Sequence, residues 1–196
     1  MSDEKIAYII AGPNGSGKTT FAKGFLEEVA LPFLNADEIA IKLSPFHIEK
    51  VRVQAGKMFL KKMEEYVAYG KSFVVETTLA GRYLVRYINR LKENGYKIEL
   101  IYIFVESVEE AIRRIDVRVR KGGHPVPKED ISRRFKRSKF NFWNIYQKLV
   151  DSWKIFLNSK DEFLQIVIGS GDDIQIINEV EFFIFKEELE DEKRRL

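Results

Sequence analysis

At 196 residues, 45% of them hydrophobic and 32% charged, the chain is sized for one α/β domain, residues 1–196, with a sizeable core and room for a lid or a C-terminal extension. It has no cysteine, which excludes disulfides, thiolate zinc sites and cysteine nucleophiles; with neither a signal-peptide pattern nor an apolar run long enough to span a bilayer, a cytoplasmic protein without a membrane role is expected. A formal net charge of +3 is too small to argue for nucleic acid by itself, although basic residues crowd 113–139 and acidic ones 179–192.

The first predicted strand, Ile6 to Ala11, runs directly into Gly12-Pro-Asn-Gly-Ser-Gly-Lys-Thr19. This string completes the G-x-x-x-x-G-K-[ST] pattern of a P-loop, and a helix is expected to follow over Thr20 to Val29. The glycines let successive backbone N–H groups turn inward onto phosphate oxygens, and the helix N-terminus faces the same anion. Gly12, Pro13, Asn14, Gly15, Ser16, Gly17, Lys18, Thr19 and Thr20 are therefore the candidate ATP-binding residues. Lys18 is placed to bridge the β- and γ-phosphates, and the Thr19 hydroxyl to serve as a Mg²⁺ ligand.

Further short apolar runs at Phe33 to Asn35, Ser72 to Glu76, Lys97 to Val105 and Trp153 to Leu157 alternate with segments of helical period. That alternation predicts a parallel sheet covered by helices on both faces, which with the phosphate loop makes a P-loop NTPase fold. Asp37 follows the second strand, at the sheet edge where ligands bind. It is either a general base for an attacking hydroxyl or the N-cap of the helical run Asp-Glu-Ile-Ala. A helix over Ile48 to Tyr69 is stopped by Gly70. Glu76 ends the third strand in Glu-Thr-Thr78, where it can bind a polar acceptor or hold Mg²⁺ through water; the structural alternative is an edge carboxylate held by a lysine. Arg82 to Asn94 reads as a helix stopped by Gly95.

Ser107 with Glu110 forms a helix-start pattern, the hydroxyl accepting from a first-turn N–H and the carboxylate reaching back, for a helix running to about Arg120. Gly122-Gly-His-Pro-Val-Pro127 interrupts it, and helical period resumes after Pro127 through Leu149. Two basic helices flanking a glycine-proline hinge have the layout of a mobile helical lid, about 113–140. Arg118, Arg120, Arg133 and Arg134 flank the hinge, where closure brings guanidinium groups onto a transferring phosphate. Arg113, Arg114, Lys136, Arg137 and Lys139 read instead as a solvated basic face. Phe135, Phe140, Phe142 and Trp143 fit a core stripe as well as a base-stacking platform, which weakens a nucleic-acid reading. His124 shapes the hinge, and with His47 far off in sequence no histidine metal site is expected. Phe163 to Ile168 and Asp173 to Ile177 suggest a hairpin, before a charged helix from about Asn178.

Taken together, Gly12 to Thr20, Asn35-Ala-Asp-Glu38, Glu76-Thr-Thr78 with Gly81, and Arg118-Val-Arg-Lys-Gly-Gly-His-Pro-Val-Pro127 through Arg133-Arg134 resemble the zeta toxin family, from residue 6 to about 159. The resemblance implies an ATP-dependent small kinase acting on a nucleotide sugar, UDP-N-acetylglucosamine, with an antitoxin protein as an allowed partner. It implies Asp37 as catalytic base, Lys18 as P-loop lysine, Glu76 and Thr78 as the acceptor-binding pair, and Arg120 and Arg133 as phosphate-stabilising arginines; Arg118 and Arg134 accompany them on the substrate side. Trp153 and the Asn158-Ser159 pair resemble a C-terminal signature of shorter, stand-alone members, with no chemical role attached. Glu-Thr-Thr stands where the toxins have Glu-Gly-Thr, so the kinase chemistry transfers more securely than the sugar. The alternatives are a kinase for another metabolite or a nucleic-acid end, and a nucleotide-dependent binding module with little turnover.

Overall fold

The structure is a computed structural model describing residues 4–45, 47–160 and 162–193; the last three residues of the charged C-terminal segment lie outside the described residues. Seven strands form one sheet in the order β2-β3-β1-β4-β5-β6-β7. β1 (Ile6–Ala11), β2 (Phe33–Asn35), β3 (Phe73–Thr77), β4 (Lys97–Phe104) and β5 (Ser152–Ser159) are mutually parallel, and β6 (Glu162–Ser170) and β7 (Asp173–Ile176) add an antiparallel hairpin. β1 lies at the centre of the five parallel strands, with Ile9 opposite Val75 on one side and Leu100 on the other. β1, β3 and β4 are nearly continuous in apolar side chains because both of their faces are covered.

Alternation along β1 divides the core. Ala7, Ile9 and Ala11 face a cluster that includes Phe59 and Met63 of α3 (Ile48–Ala68), Leu84, Ile88 and Leu91 of α4 (Leu84–Glu93), Phe142 of α6 (Lys128–Asn144), and Phe185 and Leu189 of α7 (Glu179–Lys193). Ile10 faces the other side, where Phe21, Phe25 and Leu26 of α1 (Lys18–Val29) close over Val74, Ile101 and Ile103. A third cluster joins α5 (Val108–Arg120) to α6 through Ala111, Ile115, Ile131 and Phe135, with Val126 of the intervening hinge packed against it.

The parallel strands and principal helices fall where periodicity places them, with shifts of one to three residues at some ends. The long helix expected through Leu149 stops at Asn144, and a 3₁₀ turn, Tyr146–Lys148, follows. Ile145 leaves helical geometry, with φ −124° and ψ −64°, and the Tyr146 hydroxyl donates to the Gly81 carbonyl at 2.7 Å. A tertiary contact thus accompanies the end of a run whose local pattern favours helix.

Candidate active site

The loop between β1 and α1 curls as its composition demands. Gly15 and Gly17 sit at φ +83° and +87°, and their surroundings forbid a side chain: a Cβ on Gly15 would lie 2.6 Å from the Ala111 carbonyl oxygen, and one on Gly17 2.2 Å from Asn158 Nδ2. Gly17 caps α1 without any side-chain cap, leaving first-turn N–H groups for an anion. The Lys18 ammonium donates to the Pro13 carbonyl at 2.8 Å. Burial pushes its pKa down, opposed by the charges of Glu76 and Asp37 and reinforced by Arg118. Asn14 Oδ1 and Ser16 Oγ are buried in this loop with no hydrogen-bond partner among the described residues. Thr19 and Thr20 are exposed on the first turn of α1 (Lys18–Val29).

The neighbouring strand tips bring carboxylates to the loop. Asn35 pairs in register with Glu76, and Glu76 with Ile10, so β2, β3 and β1 end side by side. Asn35 caps α2 (Ala36–Leu43), its Oδ1 accepting from the Asp37 and Glu38 N–H groups at 2.8 and 3.3 Å. Asp37 is therefore not the helix cap, correcting that alternative; it stands exposed in the first turn. The Thr19 hydroxyl donates to Glu76 at 3.0 and 3.2 Å. Burial pushes the Glu76 pKa up; Lys18 and the Thr19 bond pull it down, while Asp37 and Glu38 push it further up. These mutual influences place Lys18, Thr19, Asp37 and Glu76 in one site. A hydroxyl beside a carboxylate is a hard-oxygen pair that fits Mg²⁺, which takes few protein ligands alongside phosphate oxygens and water.

Beyond Glu76 the chain makes a tight, well-tied loop. Thr77 Oγ1 accepts from the Leu79 N–H at 3.3 Å and lies the same distance from the Tyr83 hydroxyl, while Thr78 Oγ1 accepts from the Ala80 N–H at 3.4 Å. Leu79 has φ +53°, and its carbonyl is held by Asn141 Nδ2 of α6 at 2.8 Å. Asn141 of α6 and Tyr146 of the 3₁₀ turn after it thus fasten the loop bearing Thr78. Neither carries a motif signal, since each is an isolated polar group within a core-like stripe.

The arginines flanking the glycine-proline segment are divided by their partners. Arg118 donates to the His124 carbonyl at 2.8 Å, and its charge is felt at Lys18. Arg120 is exposed at the last position of α5. Arg133 and Arg134 both pair with Asp130, at 2.6 and 3.3 Å. Two residues assigned to the solvated basic face belong elsewhere. Arg114 is largely buried against Glu110, and Lys139 is buried with its ammonium over the Phe104 and Phe185 rings. Phe135 and Phe142 are core, not a stacking platform. Ser107 caps α5 as expected, but the Glu110 carboxylate turns to Arg113 and Arg114.

A parallel sheet ordered β2-β3-β1-β4-β5, a glycine-rich loop passing from β1 into α1, and carboxylates on the adjoining strand tips define a P-loop kinase fold. The model of the Zeta toxin family matches residues 1–165, and the chain belongs to that family. An uncharacterized protein of Haemophilus influenzae is 29% identical over 135 residues, covering 69% of this chain and 94% of its own. Among solved structures, a chain of the AvrRxo1-ORF1:ORF2 complex with ATP superposes at TM-score 0.74 and 20% identity over 96% of this chain and 64% of its own. A chain of the PezAT toxin-antitoxin system of Streptococcus pneumoniae does so at TM-score 0.63 and 15% identity, over 97% and 88%. The chain therefore spans less than two thirds of the AvrRxo1 relative's length. Among the described residues, no helix is long and apolar enough to cross a membrane.

Proposed function

We propose that the protein transfers the γ-phosphate of ATP to a hydroxyl of a small anionic acceptor, a nucleotide sugar of the UDP-N-acetylglucosamine kind. One observation carries the reading: the phosphate loop, the Thr19–Glu76 pair and Asp37 meet where β1, β2 and β3 end together. The acceptor oxygen attacks the γ-phosphorus, the bond from that phosphorus to the β–γ bridging oxygen breaks, and ADP departs. Asp37 takes the hydroxyl proton, a contribution of about 10² to 10⁴ in rate. Glu76 and Thr78 orient the acceptor. Lys18, with Arg118 near it and Arg120, Arg133 and Arg134 on the lid helices, stabilises charge on the transferring group. Thr19 with Glu76 would hold Mg²⁺, which when bound neutralises phosphate charge.

The relative solved with ATP supports that nucleotide, and the toxin-antitoxin relative supports an antitoxin partner. A cytoplasmic location accords with this metabolite chemistry. The test is ADP release from Mg·ATP by wild type and Asp37→Asn with a panel of UDP-sugars, the product identified by mass spectrometry. Sugar phosphorylation that falls about 10² to 10⁴-fold in the variant, with ATP affinity retained, is expected. Full turnover by Asp37→Asn would remove that residue from the base role, and absence of any sugar product would remove the acceptor class.

A further inference from the structure

Asn158 lies at the far end of the chain from the phosphate loop, yet its side chain is built into it. It sits near the end of β5, is almost fully buried, and donates from Nδ2 to the Ser16 carbonyl at 3.0 Å across 142 residues of sequence. The contact fixes which way the amide faces, because only its nitrogen can donate to a carbonyl. Its Oδ1 is then left buried with no partner among the described residues. A buried amide that makes one bond and leaves its acceptor unmatched gives up stability relative to an apolar residue of its shape. What it gains is geometric.

The peptide joining Ser16 to Gly17 is planar and trans, so its C=O and N–H point in opposite directions. Holding the Ser16 oxygen on the Asn158 side therefore turns the Gly17 N–H to the opposite side of the loop. The close approach that excludes a Cβ at Gly17 is to this same Nδ2. Asn158 is itself held: Arg114 of α5 donates to its backbone carbonyl at 3.1 Å, and Arg114 is fixed by Glu110 at 2.6 Å. α5 also packs directly beneath Gly15 through Ala111.

We infer that Asn158 is a positioning residue for the phosphate cradle, aiming the Gly17 N–H at a bound nucleotide's phosphates and, through Arg114, tying that aim to the first lid helix. This rests on reading residues 12–20 as the nucleotide site. The test is calorimetric titration of the full chain with ATP, ADP and adenosine in wild type, Asn158→Ala and Asn158→Asp.

Losing one aimed donor is expected to weaken ATP and ADP about tenfold in Asn158→Ala. The isosteric Asn158→Asp, which cannot donate and adds negative charge beside the phosphates, is expected to lose more. Adenosine, which has no phosphate to meet the cradle, is expected to keep its wild-type affinity, whereas general loosening of the fold would weaken it too. ATP affinity within twofold of wild type in a folded variant, or an equal loss for adenosine, overturns the inference. Should Asn158→Ala fail to fold, the Asp variant, matched in volume, is read by the same criteria. Failure of wild type to bind ATP would overturn the nucleotide-site reading first, and is seen before any substitution is made.

Discussion

At the scale of single residues, Glu76 shows the conflict between folding and chemistry most directly. Burial raises its pKa although Lys18 and Thr19 favour the charged form, so the ionised carboxylate is held at a cost. The sign of the consequence follows from linkage: below the ordinary carboxylate pKa of 4.5 the group is protonated in both folded and unfolded chains and nothing is lost. As pH rises, the unfolded chain ionises first and the native state loses stability, until pH passes the elevated native pKa. Glu76→Gln keeps an acceptor for the Thr19 hydroxyl and carries no charge. Its Tm should match wild type near pH 4 and exceed it at pH 7 to 8, while phosphoryl transfer falls sharply. A Tm lower than wild type at neutral pH would show that the carboxylate is instead a net stabiliser. Asn35 and Asp37 mark the limit of sequence at this scale. Both are good capping residues two positions apart, and only the tertiary position of the β2 end decides that Asn35 caps the helix while the Asp37 carboxylate stays exposed.

At the scale of elements, α5 and α6 combine legible and illegible features. The Ser107 cap, the hinge and the arginine positions follow from local patterns, because caps and breakers act within a few residues. Burial of Arg114 and Lys139 does not, since it depends on β5 and α7 arriving from elsewhere in the chain. Glu110 ties the start of α5 together, and its two arginines hold its carboxyl down at about 2. A depressed carboxylate contributes stability above its ordinary pKa and loses it as pH falls through the native value. Glu110→Gln should therefore lower Tm at pH 7, with the gap to wild type closing as pH falls from about 4.5 toward 2; a gap that persists unchanged at the acid end would contradict the ion-pair account. At the other end of the helix, Arg120 is exposed at the last position. Arg120→Ala is expected to lower kcat by about 10³-fold or more if it contacts the transition state, with ATP affinity altered far less. An unchanged kcat would leave it a solvated surface residue.

At the scale of the whole molecule, the parallel half of the sheet was legible because strand-loop-helix periodicity and the P-loop together specify it. The C-terminal hairpin and α7 were legible only as elements, and their role in the core was not. The family match ends at residue 165, inside β6, yet α7 packs with α6 on one face of the sheet. Phe185 is fully buried, with ring centroids 5.1 Å from Phe104, 6.0 Å from Trp143 and 6.3 Å from Phe142, and the Lys139 ammonium 4.3 Å from its centre. Removing that ring leaves a cavity bounded by rigid aromatics and a lysine whose charge loses a partner face. Phe185→Ala should cost about 3 to 5 kcal/mol of unfolding free energy in urea titration. ATP affinity should change little, because α7 packs on the face of the sheet opposite α1, whose N-terminus follows directly on the glycine-rich loop. A loss below about 1 kcal/mol, outside the range for a buried phenylalanine, would mean that α7 is an appendage and that the folding unit ends with the hairpin. Loss of ATP binding together with stability would instead show that the face built by the C-terminal helix reaches the nucleotide site through α6.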